Sequence, residues 1–174
     1  SIVQEYPDIE VEVFACDVSD LDSVARCVAA MVEKCGQIHG VMNNAGFAYP
    51  QYFDQIAPEE FRRIIEVDYL GSVYITKAAL PHLKSGSFIA FTSSVAGYVG
   101  TFGYASYCPA KLAQIGFAEA LDQELLSRDI QVSVLCPPNT ETPGYRVENE
   151  TKPFETDEMS NRASLMKAED VARV

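Results

Sequence analysis

Short apolar runs alternate with longer amphipathic stretches along the chain, the pattern of βα units laid around a parallel sheet. Residues 11–16 predict a first strand. Ser19 then caps a helix whose one face carries Leu21, Val24, Val28, Met31, Val32 and Cys35, and Gly36 stops it. Residues 38–43 predict a second strand, which closes in Asn43-Asn44-Ala45-Gly46. Pro58 suits the first turn of a long helix reaching about residue 84, with Pro81 disturbing its last turn. Residues 88–92 give another strand, followed by a Ser- and Gly-rich loop over 93–103. A second long helix starts within 104–107 and runs to about residue 127, and a strand at 131–136 ends in Pro137-Pro138. Residues 139–165 are polar with little periodicity, which suits either a lid over a site or a surface loop. Residues 167–174 read as the first turns of a further helix. The whole, 1–174, predicts one α/β domain.

The first long helix carries two apolar stripes. One holds Phe61, Ile65, Asp68, Ser72, Ile75 and Ala79; the other holds Ile64, Val67, Leu70, Tyr74 and Ala78. A helix that is apolar on two faces is usually buried on both. One face would lie on the sheet and the other on a second copy, so the expected assembly is a homodimer or homotetramer.

Composition narrows the class. With 48% hydrophobic and 22% charged residues the 174-residue chain is globular rather than disordered. A formal net charge of -12 argues against a nucleic-acid partner, because phosphate binding needs clustered Lys and Arg. No apolar run reaches the ~20 residues that span a bilayer. The five cysteines are scattered and form no C-x-x-C pair, so neither a metal site nor a disulfide framework is suggested.

The sharpest chemical signal is Tyr107-Cys108-Pro109-Ala110-Lys111, whose Tyr and Lys, four apart, share a helix face. A phenol ordinarily titrates near pH ~10, too high for easy proton exchange near neutrality. An adjacent ammonium favours the phenolate, so Lys111 is expected to lower the pKa of Tyr107 and fit it for general acid/base work. Alone, such a pair is an ordinary surface feature. Ser94, thirteen residues before Tyr107 and just past a strand, changes that, since its hydroxyl can bond a substrate oxygen. Asn43-Asn44-Ala45-Gly46 also lies at the C-terminal end of a strand, where open α/β sheets bind ligands.

Taken together, the N-N-A-G turn, the Ser ahead of Y-x-x-x-K and Asp17-Val18 after a strand resemble the short-chain dehydrogenase/reductase family over essentially the whole chain. The resemblance implies a Rossmann-type doubly wound parallel sheet and a hydride-transferring oxidoreductase. It makes Tyr107 the proton donor, Lys111 a ribose ligand that also lowers the phenol pKa, and Ser94 the group that polarises the carbonyl. Asp17 and Val18 would flank an adenine, Asn44, Ala45 and Gly46 would line the cofactor cleft, and Pro137 and Thr142 would sit by the nicotinamide. Three departures stand out. Asp68 occupies the place of a family Asn, and either replaces it in a proton relay to Lys111 or weakens that relay. Pro137-Pro138 replaces the usual Pro-Gly. The Gly-rich phosphate loop has no counterpart in the sequence, so the N-terminal strands and the last strand of the fold are expected to be missing from it.

Cys136-Pro137-Pro138-Asn139-Thr140-Glu141-Thr142-Pro143-Gly144-Tyr145, with Glu148 to Pro153 and Glu155-Thr156, is similar to the branch of that family whose substrate is 3-ketodihydrosphingosine. This implies a lipid ketone substrate, NADP(H) in preference to NAD(H), and a place in sphingolipid synthesis. Membrane association of the full-length protein goes with it, in the cytoplasm or on the cytosolic face of the endoplasmic reticulum. Phe47, Tyr49, Tyr52, Phe53, Tyr98, Phe102 and Tyr104 suit either an acyl-chain channel or ordinary core packing. The alternatives are a family member acting on another lipid or small ketone, and a non-catalytic scaffold of the same fold.

Overall fold

The computed structural model describes residues 9–173. At its centre are three parallel strands in the order β1 (Ile38–Asn43), β2 (Leu83–Thr92) and β3 (Gln131–Leu135). In β1 and β2 Val41 faces Ile89 and Asn43 faces Phe91; in β2 and β3 Phe91 faces Val134. Parallel neighbours need a crossover, and helices supply both. Ahead of the sheet runs α1 (Leu21–Cys35). The crossover from β1 to β2 holds α2 (Pro58–Ile64), a π-helical turn (Ile65–Leu70) and α3 (Gly71–Ala79). The crossover from β2 to β3 holds α4 (Tyr107–Leu125).

β2 is the middle strand, so its inward side chains are shut in from both sides. Ile89 and Phe91 are fully buried and pack with Val41, Ala79, Ala118, Leu121, Leu125 and Ile130. On the opposite face, Gly40 leaves room for the ring of Phe88 on the neighbouring strand, with which a Cβ there would collide. The ring of Phe117 on α4 meets Phe91 edge-on at 5.6 Å, which joins helix to sheet.

Several expectations are corrected. Residues 11–16 form no strand: a strand exists only through a paired ladder, and no described strand runs beside them. Val13 is left 89% exposed. The cap of α1 is Asp20 rather than Ser19, its carboxylate accepting from the amides of Asp22 and Ser23. Ser19 instead donates to Asp17. The long helix stops at Ala79, with a 3-10 turn over Leu80–His82, because Pro81 has no amide with which to continue the ladder.

The two-stripe reading of that helix also changes. The π-helical turn slips the phase, so the buried line runs Ile64, Asp68, Ser72 and Thr76, joining residues from both expected stripes. Val67, Leu70, Tyr74 and Ala78 remain half-buried. Residues 139–165 are not a plain loop. They fold as β4 (Thr140–Glu141), α5 (Pro143–Glu148) and α6 (Phe154–Arg162), and β4 pairs in parallel with β5 (Met166–Lys167). A short α7 (Ala168–Val171) follows.

Candidate active site

The C-terminal ends of β1, β2 and β3 open into one cleft of about 1060 Å³, roofed by α5 and α6. The walls include Asn44 and Gly46 after β1, Ser94 after β2, Pro137 after β3, and Tyr107 and Lys111 from the start of α4. This is the crevice where a parallel sheet gathers loops from separate strands.

The floor is built on an ion pair. Lys111 Nζ lies 3.2 Å from Asp68 Oδ2, and both side chains are almost wholly buried. The ammonium also donates to the Thr92 carbonyl at 3.0 Å and to Gln114 Oε1 at 3.5 Å. Asp68 Oδ1 accepts from the Phe47 amide at 3.0 Å, while its backbone carbonyl accepts from Gln114 Nε2 at 2.9 Å. These partners offset the cost that burial puts on the two charges, with Oδ2 held by the ion pair alone. The π-helical turn is what aims Asp68 inward, and such turns recur at functional sites. Gly46 lets the loop after β1 pass over this pair: a Cβ there would meet Asp68 Oδ2 at 2.9 Å.

Tyr107 opens α4, with the Lys111 ammonium 5.4 Å from the centre of its ring. Burial pushes the phenol above its ordinary value, the Asp68 carboxylate pushes the same way, and the Ser94 hydroxyl opposes them. The expected acidification by Lys111 is therefore not what this geometry does. Lys111 is instead paired with Asp68, and burial favours the protonated form of the phenol. Asp68 is itself raised by burial, against the pull of Lys111 and the Phe47 amide. Ser94 Oγ accepts from the Ala96 amide at 3.1 Å, which leaves its O–H free to donate toward the cleft. A ketone oxygen between these two hydroxyls would meet two donors.

The other expected site residues divide. Asn44, Gly46, Pro137 and Thr142 line the cleft. Thr142 also caps α5, its Oγ1 accepting from the Tyr145 amide at 3.0 Å. Ala45 is exposed beside them but is not in the wall. Asp17 and Val18 lie outside it: Asp17 is tied to Ser19 and Ser23, and Val18 packs against the start of α3 at Gly71. Of the aromatic residues, Phe47, Tyr49 and Tyr104 reach the cleft. Tyr52 and Phe102 instead pack edge-on at 6.0 Å, and Phe53 meets Phe61 at 6.1 Å.

Sequence reasoning offered Tyr104 only as a channel or core aromatic and Glu148 only as part of a motif, and did not pair the two. The Tyr104 hydroxyl bonds Glu148 Oε1, and the ring lies 5.8 Å from that of Tyr107. The i,i+4 pairing of Glu148 with Lys152 was a usable signal, since it marks a helical end in a stretch otherwise without period.

The description "short chain dehydrogenase" matches residues 1–153 of the chain. A 3-ketodihydrosphingosine reductase of Dictyostelium discoideum is 40% identical over 170 residues, covering 94% of this chain and 51% of that protein. A 3-dehydrosphinganine reductase of Danio rerio is 40% identical over 162 residues, covering 92% and 48%. The chain thus spans about half the length of the curated relatives it matches. Among solved structures, a dehydrogenase/reductase of Sinorhizobium meliloti superposes with a TM-score of 0.85 at 19% identity, covering 97% of this chain and 67% of that one. A short chain dehydrogenase of Burkholderia cenocepacia in complex with NADP gives 0.80 at 26%, covering 92% and 65%. The Rossmann-type expectation for the sheet is met by these superpositions.

Proposed function

The chain belongs to the short-chain dehydrogenase family, and on that premise we propose that it is part of an NADPH-dependent reductase of 3-ketodihydrosphingosine. The observation that carries the reading is the convergence of Tyr107 and Ser94 in one cleft, beside the buried Lys111–Asp68 pair. The names and identities of the relatives support the substrate, and the NADP complex of a structural neighbour supports the cofactor.

The residues present fit the nicotinamide and ribose end of such a cofactor. Gly46 brings backbone to the cleft without side-chain bulk beside Asp68, and Asn44, Pro137 and Thr142 line the same cleft. Tyr107 and Lys111 would hold the ribose. When bound, NADPH supplies the hydride. The chain supplies the rest: Ser94 donates to the ketone oxygen, and Tyr107 gives its phenolic proton to that oxygen as the alcohol forms. Asp68 holds Lys111 in place beneath the phenol. Asp68 therefore supports the site as a fixed counter-ion in direct contact with Lys111, rather than through an intervening relay.

The half-buried face of the π-helical turn and α3, with Val67, Leu70 and Tyr74, supports a homodimer or homotetramer. The lipid substrate supports a protein that works against a membrane, on the cytosolic face of the endoplasmic reticulum or in a bacterial cytoplasm. No described helix is long and apolar enough to cross a bilayer.

NADPH oxidation by the full-length protein, followed with 3-ketodihydrosphingosine and with unrelated small ketones, tests the reading. Turnover of the sphingoid ketone well above the others is expected. Preference for another ketone would move the substrate, and no turnover of any ketone would favour a scaffold.

A further inference from the structure

Glu148 stands at the substrate end of the cleft with one carboxylate oxygen committed and the other open. Oε1 accepts from the Tyr104 hydroxyl and lies 3.4 Å from Lys152 Nζ. Lys152 is itself shut in, its side chain 1% exposed and its ammonium 4.0 Å above the ring of Tyr145. No described residue hydrogen-bonds Oε2, and the Glu148 side chain keeps 18% of its surface exposed where it forms part of the cleft wall. Tyr104 and Lys152 therefore fix the carboxylate from behind, which leaves its remaining lone pairs for a donor inside the cleft.

That position is close to the reacting centre. Tyr104, which holds Glu148, packs against Tyr107, and the Glu148 charge is felt at the Tyr107 phenol. A sphingoid 3-ketone carries an ammonium on the carbon next to its carbonyl. With the ketone oxygen at Tyr107 and Ser94, that ammonium is held two bonds from the carbon that is reduced. We propose that Glu148 Oε2 binds this ammonium and so selects 2-amino ketones over plain ketones, with Tyr104 and Lys152 as its positioning residues. The proposal rests on the reductase reading above and deepens it. A charge-assisted bond in a partly buried cleft is among the stronger polar contacts, and a charge that must lie beside Tyr107 also fixes which face of the ketone is presented.

The test uses water-soluble short-chain homologues of the 2-amino-3-ketone, the same ketones with the amine acetylated, and full-length protein. Wild type should reduce the free amine at least about tenfold more efficiently in kcat/KM, and Glu148→Gln should cut that preference by about 10- to 100-fold. Glu148→Asp should restore part of it. Calorimetry on the corresponding amino alcohols should show the same order of affinities. Equal reduction of the free and acetylated ketones by wild type would overturn the ammonium site while leaving the reductase reading intact. An equal loss on both ketones in Glu148→Gln would assign the residue a structural role and overturn it as well. No turnover of either ketone by wild type would sink both readings. The wild-type comparison needs no variant to fold.

Discussion

Burial and the Asp68 carboxylate, rather than Lys111, set how Tyr107 behaves. An ammonium beside a phenol lowers its pKa only if its own charge is unopposed, and here Asp68 lies 3.2 Å from Lys111. Reduction needs the phenol protonated, so activity is expected to persist up to or above the pH of ~10 at which an ordinary tyrosine ionises. Asp68→Asn removes a charge that raises the Tyr107 pKa. The alkaline limb of kcat/KM should therefore move to lower pH, and a pH–rate series on wild type and variant reads it. An unmoved or upward-moving limb would show that Asp68 does not act on the phenol. Lys111→Met leaves the carboxylate buried without its counter-charge. It should cost about 3–5 kcal/mol in denaturant unfolding, besides its effect on turnover.

At the scale of elements, the site depends on how the strand ends and helices are phased. Gly46 is one such point, because the loop after β1 passes within contact of Asp68. Gly46→Ala should cost about 1–3 kcal/mol through overpacking and lower turnover, measured together by unfolding and steady-state rates; a neutral result would mean that the loop has room to shift. What the sequence disclosed at this scale was uneven. β1, β3 and the span of α4 follow from runs of apolar residues and their flanking Gly and Pro, which are local signals. The π-helical turn left no such signal. Two apolar stripes were visible, but only the slip at Ile65–Leu70 shows that Ile64 and Asp68 share one buried line. The strand expected at 11–16 failed for the complementary reason, since pattern alone supplies no ladder partner. Residues 139–165 hid α5 and α6 because their buried contacts are few: Thr156 bonds the Phe102 carbonyl at 2.8 Å, while Phe154 and Met159 stay exposed.

For the whole molecule, the convergence of Ser94, Tyr107 and Lys111 on one cleft was legible from spacing. The electrostatics were not. Burial, with the Asp68 carboxylate adding to it, reverses the direction expected for Tyr107, and neither is visible in the spacing of the motif. Assembly belongs to this scale as well. Light scattering at micromolar concentration should give a dimer or tetramer, and charged substitutions at Val67 or Leu70 should shift it toward monomer; a monomeric wild type would contradict that face as an interface.

The central claim is that Tyr107 hands its proton to a bound ketone. Tyr107→Phe keeps the ring and removes only the hydroxyl, so NADPH affinity by fluorescence titration should stay within about tenfold, given the modest net worth of one hydrogen bond to the ribose. NADPH-dependent turnover of 3-ketodihydrosphingosine should fall by about 10²- to 10⁴-fold. Turnover equal to wild type, with the variant folded and binding NADPH, would contradict the account.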